Sequence, residues 1–176
     1  MFPEHFGIAH RPPEVAGRQV AGHWEGDLMI FGLELGKANL TSLIERKSRY
    51  TVIVKNSDRR SSPVISGIMG ALAHLPPSLR QTMTFDRGFE FTGHSALRRD
   101  LGLQAYFCDP QSPWQKGSVE SNNARIRRFF PRSTQLDTVS AADIYDVCGR
   151  LNGTPRKCLG YRTPEDVFRE AMQEAT

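Results

Sequence analysis

Short runs rich in Thr, Ile and Val carry the first third of this chain, and a helical period takes over after residue 60. HWEGDLMIF, residues 23–31, sets Trp24, Leu28 and Ile30 on one strand face, toward a core, and Glu25, Asp27 and Met29 on the other. ANLTSLIER and RYTVIVK follow, joined by Arg46, Lys47, Ser48 and Arg49, which read as a solvated hairpin turn. These three runs predict an antiparallel meander. Residues 61–74 then place Val64, Ile68, Leu72 and Leu75 at helical spacing until Pro76-Pro77 stops them. Residues 81–85 read as a strand ending at Asp86, residues 93–101 as a short helix, and residues 103–108 as a strand closed by Asp109-Pro110.

In residues 112–131, SPWQKGSVESNNARIRRFFP, a loop gives way to a helix. Positions 120, 123, 124 and 127 share one of its sides, and Val119, Ile126 and Phe130 form a neighbouring apolar stripe. Ile144, Val147, Cys148 and Leu151 mark another helix, and Thr163-Pro164-Glu165-Asp166 starts the last, with an N-cap, a proline and two acids in order. Residues 1–22 hold Pro3, Pro12, Pro13 and Gly17 without an apolar period. They predict an extended arm or linker ahead of one core, residues 23–176. Three strands followed by alternating helices and strands predict an α/β fold with a mixed five-stranded sheet flanked by helices.

Composition narrows the function without naming it. With 176 residues, 39% hydrophobic and 24% charged, the chain can bury one real core. A net charge of +4 and a pI near 9.2 suit a polyanionic partner. No apolar run is long enough to span a bilayer, so no membrane partner is expected. Cys108, Cys148 and Cys158 are widely spaced and odd in number, which fits a reducing cytoplasm and neither a disulfide framework nor a zinc knuckle. There is no GxxxxGK[ST] phosphate loop and no G-x-S-x-G elbow, which disfavours nucleotide hydrolysis and the simplest serine hydrolase.

Three carboxylates are the candidate chemistry: Asp27 in the first strand, Asp86 at the end of the fourth, and Glu120 in the helix after the fifth. Three such groups at one sheet edge repel one another unless a divalent cation neutralises them, and oxygen ligands suit Mg²⁺ or Mn²⁺. Two ions roughly 3.5–4 Å apart can support an in-line displacement at phosphorus. Arg125, Arg127, Arg128 and Arg132 are the expected phosphate contacts, with Lys116 and Trp114 as further candidates for touching DNA. Salt-sensitive binding with little sequence preference follows from that composition.

HWEGDLMIF, GKANLTSLIERKSRYTVIVK, TFDRGFEFTGH, FCDPQSPWQKGSVESNNARIRRFFPRSTQLD and LNGTPRKCLGYRTPEDVF resemble, in order, the blocks of IS-thirty family insertion-sequence transposases. The resemblance covers nearly everything from about residue 11 onward. It implies a ribonuclease H-like core of the retroviral-integrase type, cutting DNA and transferring strands with an Asp-Asp-Glu triad and two Mg²⁺ or Mn²⁺ ions. Asp27, Asp86 and Glu120 match the triad positions, and 33 residues separate the last two, as the family pattern asks. DNA, as transposon ends and as target, is the implied partner, with a homo-oligomer in the DNA complex and a nucleoid-associated location in a prokaryotic cytoplasm.

Asp86-Arg87-Gly88 stands where many relatives read Asp-Asn-Gly, and Val119-Glu120-Ser121 where they often read Asn-Glu-Asn. Family members carry a helix-turn-helix ahead of the core, whereas 26 proline-interrupted residues precede Asp27 here. A catalytic fragment or truncated copy, unable to transpose alone, is the resulting expectation. Two rival readings stay open: a metal-dependent nuclease or resolvase without strand transfer, and an inactive DNA-binding remnant. Among other residues, Glu90 reads as a supporting carboxylate, Asp109 as a turn residue, and His23 and His94 as structural histidines. Trp114 reads as loop packing before base stacking.

Overall fold

β-branched and aromatic residues fit a pleated surface, and where they concentrate the chain forms strands. The computed structural model describes residues 4–175, with no side chain described at Pro113. Strands β1 (His23–Met29), β2 (Asn39–Glu45) and β3 (Thr51–Asn56) form the expected antiparallel meander. Strands β4 (Thr82–Phe85) and β5 (Gln104–Phe107) run parallel to β1, giving one mixed sheet in the order β3-β2-β1-β4-β5. Helix α2 (Ser61–Leu72) links β3 to β4, and α3 (Ser95–Leu101) links β4 to β5. Helix α4 (Gly117–Ile126) follows β5 and packs back on β1 and β2, ahead of α5 (Ala141–Asn152) and α6 (Pro164–Glu174).

The helix ends are set by local chemistry. Ser140 and Asp143 close a reciprocal capping box on α5, and the Thr163 hydroxyl accepts the Asp166 N–H at the start of α6, with Pro164 at its first position. Gly102, at φ +70°, ends α3 in the left-handed conformation that glycine adopts freely.

The sheet is covered on both faces, which corrects the expected division of β1. Trp24 joins Val64, Ile68, Leu72, Phe85 and Phe168 in one core. On the other face Met29 joins Ile126, Phe130, Ile144, Val147 and Leu151 in a second core beneath α4 and α5. Glu25 and Asp27 share the face of Met29, so they point toward α4 rather than toward water, while Ile30, expected inward, is exposed.

The expected N-terminal arm is also docked rather than extended. A helical turn, α1 (Glu14–Gly17), buries Val15, and Phe6 meets the His94 ring edge-on at 4.7 Å. Gly7 bridges Phe107 on the outer edge of β5, and Arg11 donates to the Thr84 hydroxyl at 3.0 Å. A few well-placed contacts hold a segment that has no apolar period to announce them. Residues 1–3 of that stretch lie outside the described residues.

Gly26 sits between Glu25 and Asp27 because the Phe85 ring crosses the strand there. A Cβ on Gly26 would lie 2.6 Å from Phe85 Cε1. Gly26→Val is therefore expected to cost about 1–3 kcal/mol by overpacking, read from urea unfolding. Phe85→Leu in the same chain should recover part of that loss. If Gly26→Val is neutral, the close approach does not dictate the glycine.

Candidate active site

Adjacent parallel strands bring their carboxyl ends together, and here those ends carry two acids. Glu25 of β1 pairs with Thr84 of β4, and the same offset carried two residues on sets Asp27 beside Asp86. In α/β sheets such strand ends are where functional groups collect. Lys116, in the turn just before α4, reaches between them. Its Nζ lies 2.8 Å from Asp27 Oδ1 and 3.2 Å from Asp86 Oδ2. Lys116 is only 5% exposed, whereas the side chains of Asp27 and Asp86 are 23% and 45% exposed.

The electrostatics follow from that burial. Desolvation lifts the Asp27 carboxyl above the ordinary range, Lys116 pulls it back and Asp86 pushes it up again. Burial lowers the Lys116 ammonium, but the two carboxylates outweigh it and hold it above its ordinary value. Cys108, close by, is pushed up to about 11 by burial and stays a neutral thiol at pH 7. Asp86 also accepts the Gly88 N–H at 2.9 Å, a turn that fixes the carboxylate at the strand end.

Helix α4 supplies the other wall. Asn123 Nδ2 donates to Asp27 Oδ2 at 2.6 Å, while the Ser42 hydroxyl of β2 donates to Asn123 Oδ1. Glu120 lies one turn earlier on the same side of the helix and is exposed at its first turn. Among the described residues, no three His, Cys, Asp or Glu side chains are gathered closely enough to hold a metal ion. Asp27 and Asp86 are thus brought together, and Glu120 is placed beside them on the same flank without joining them. The pair already holds a cation, the Lys116 ammonium, and its hard oxygen donors fit Mg²⁺ or Mn²⁺.

The other candidates divide. Arg127 and Arg132 line an open groove of about 690 Å³ with Asp27 and Asn123. Arg127 donates to the Ile30 carbonyl at 2.7 Å and lies 4.5 Å above the Phe31 ring. Arg128 is exposed just after α4, and Arg125 lies on the opposite side of that helix. Trp114, expected to pack its loop, is 73% exposed. Lys116, expected to face DNA, is instead buried between the two acids, because its long side chain satisfies both carboxylates from within.

Glu90 is buried near Asp86, its carboxyl raised first by desolvation and further by Asp86. Asp109 accepts from the Gln115 side chain at 2.9 Å. The His23 ring meets the Thr82 hydroxyl at 2.9 Å, and the His94 ring stacks edge-on against Phe107.

Three residues near the site went unread in the sequence. Asn123 had a signal, since positions 120 and 123 share a helix side. Glu25 and Arg46 had none. Both are buried, with Arg46 Nη1 3.0 Å from Glu25 Oε1, so Arg46 is no part of a solvated turn. Glu25 Oε2 accepts the Val119 N–H at 2.8 Å and so ties the start of α4 to β1 one residue before Glu120.

Comparison with known proteins places this geometry. The chain is 38% identical over 178 residues to the transposase for insertion sequence element IS1086 of Cupriavidus metallidurans, a match covering 99% of this chain and 51% of the relative. It is 37% identical over 165 residues to the transposase InsI for insertion sequence element IS30A of Escherichia coli, covering 94% and 42%. The chain therefore spans about half the length of the curated relatives it matches. Among solved structures, the catalytic core domain of BIV integrase superposes with a TM-score of 0.67 at 20% identity, covering 88% of this chain and 97% of that one. A chain of the simian T-cell lymphotropic virus intasome, solved with a PP2A regulatory subunit, superposes at 0.68 and 17%, covering 84% and 54%. These bear out the ribonuclease H-like fold. The integrase core domain matches residues 17–113, more than half of the chain, which belongs to that family.

Proposed function

We propose that this chain is the catalytic core of a DNA transposase, cutting DNA strands and joining them to a target with Asp27, Asp86 and Glu120. The observation that carries this reading is the carboxylate pair at the ends of two adjacent parallel strands, already closed on a cation. Divalent ions bound there supply Lewis acidity and an activated oxygen nucleophile. Asp27 and Asp86 hold the oxygen ligands in place through the sheet, and Asn123 fixes the rotamer of Asp27. Glu120 completes the set from α4 by turning its exposed side chain toward the pair. Arg127 and Arg132, in the groove beside Asp27, position the phosphate backbone. Among the described residues no helix is long and apolar enough to cross a membrane.

The test incubates this chain with oligonucleotides carrying the cognate terminal repeats, target DNA and Mg²⁺ or Mn²⁺. Joined products support the reading. Nicked products without joining indicate a nuclease, and binding without either product indicates an inactive remnant.

Lys116→Met gives a second handle on the same site. It leaves two carboxylates facing each other without their cation. Removing one partner of a fully buried pair costs about 3–5 kcal/mol. The 45% exposure of the Asp86 side chain lowers the expectation to about 2 kcal/mol, or roughly 4–8 °C in Tm for a domain of this size. Mg²⁺ or Mn²⁺ should then raise the Tm of Lys116→Met more than that of the parent chain, because the ion no longer competes with the ammonium. Equal metal-dependent gains in both chains would refute that competition.

A further inference from the structure

Helix α4 has a second charged flank that the proposed chemistry leaves unused. At 100° per residue, Ser118, Asn122 and Arg125 project on the side opposite Glu120, Asn123 and Arg127, with the buried seam of Val119 and Ile126 between the two flanks. On that far side lies a cavity of about 210 Å³. Arg18, Arg49, Arg125 and Arg156 all line it, and no carboxylate does. Four guanidinium groups around one small space repel one another. Arg125 depresses the Arg156 guanidinium, after burial, and no acid of the lining compensates the cluster. Arg60 and Arg169, by contrast, pair with Asp58 and Asp166.

A second observation points the same way. Asn122 lines this cavity and is 1% exposed. Its Oδ1 accepts the Thr51 hydroxyl at 2.9 Å, but its Nδ2 has no hydrogen-bond partner. A buried amide donor left unmatched is a cost that an acceptor oxygen brought against it would relieve. The Ser118 hydroxyl, already held by Arg49 Nη1 at 2.7 Å, and the positive end of α4 complete a surface of donors. The space is smaller than the roughly 300–1,000 Å³ of drug-sized ligand sites. It suits a tetrahedral anion.

We infer that this pocket grips one phosphate of the DNA backbone, as an anchor distinct from the cutting site. The identification of the anion as DNA rests on the function proposed above. A strand crossing the exposed face of α4 from Asp27 to the pocket spans one helix diameter, about 10–12 Å. The anchored phosphate therefore lies within a few nucleotides of the reacting one. The anchor fixes how far the strand reaches past the carboxylates.

The experiment measures duplex binding by the whole chain across salt concentrations, for the parent, Arg125→Gln, Arg156→Gln and, as a charge-matched control on α6, Arg169→Gln. Loss of one phosphate contact lowers the slope of log K against log salt by about 0.9. Arg125→Gln and Arg156→Gln are expected to lose that much and Arg169→Gln none. In parallel, single methylphosphonates scanned along the strand neutralise one phosphate at a time and need no protein variant. One neutral linkage, within a few nucleotides of the reacting position, should weaken the parent chain about tenfold yet leave Arg156→Gln unaffected. If the parent binds with steep salt dependence while both pocket variants keep its slope, or no linkage in that interval matters, the pocket is not a phosphate anchor and the proposed function stands. If the parent itself shows no salt-sensitive DNA binding, the anchor and the proposed function fall together.

Discussion

Asp27→Asn, Asp86→Asn and Glu120→Gln should each reduce strand cleavage and joining by about 10³-fold or more while leaving DNA affinity nearly unchanged. The magnitude follows from what a carboxylate does here. In the proposed mechanism each would help to hold a cation whose stabilisation of transition-state charge is worth several kcal/mol, and about 4 kcal/mol corresponds to three orders of magnitude in rate. Affinity should be spared because the proposed phosphate contacts come from arginines, and removing a negative charge beside a polyanion does not weaken its binding.

The three variants should differ in stability. Asp27→Asn and Asp86→Asn each remove one of the two acids paired with buried Lys116, so both move the unfolding midpoint. Glu120 is exposed on the first turn of α4, so Glu120→Gln should leave that midpoint within about 0.5 kcal/mol. Glu90→Gln is the discriminating control. Glu90 is buried near Asp86, yet it should retain far more activity than Glu120→Gln. Gel assays of nicked and joined product settle the order. Activity within tenfold of the parent in Glu120→Gln, with Glu90→Gln inactive, would move the third role from α4 to the segment after β4.

The parts of this site that the sequence announced are those set by local rules. The period of Val64, Ile68 and Leu72 reports a helix on a sheet, and all three are buried. The spacing of Val119 and Ile126 reports which side of α4 faces inward, and with it which side Glu120 and Asn123 share. Thr163-Pro164 marks a helix start to the residue. What stayed hidden depends on partners far away in the chain. Lys116 pairs with acids 89 and 30 positions earlier, and nothing near it distinguishes a buried ammonium from a solvated one. Arg46 sits in a polar turn beside Lys47 and Ser48, where burial has no local signature. The strand pattern correctly put Glu25 and Asp27 on one face. It could not show what covers that face, because α4, which does so, comes some ninety residues later in the chain. The docking of residues 4–22 rests on Phe6, Gly7, Arg11 and Val15, too few and too irregular to form a period.

The Glu25–Arg46 pair carries the other large expected effect, and it separates stability from chemistry. Glu25 is fully buried, and Arg46 nearly so, its guanidinium lowered to about 10 by burial while Glu25 pulls it up. Glu25→Gln keeps an acceptor for the Val119 N–H but leaves Arg46 with no buried counter-charge, and should cost about 3–5 kcal/mol. Replacing both partners with apolar residues of similar size, Glu25→Leu with Arg46→Met, removes the charge problem altogether. Such replacements are often neutral or better, so the double variant should recover most of the lost stability. It cannot restore the acceptor for Val119, whose N–H anchors α4 to β1 one residue before Glu120. A hydrogen bond to a charged group is worth about 1.5–3 kcal/mol, so loosening it should slow strand cleavage about tenfold or more in a chain that is otherwise well folded. Urea unfolding and the joining assay, run on the same preparations, check both halves. Parent-like cleavage by the stable double variant would show that β1 does not position Glu120 through this contact. A double variant as unstable as Glu25→Gln alone would show that the buried ion pair is not the source of the loss.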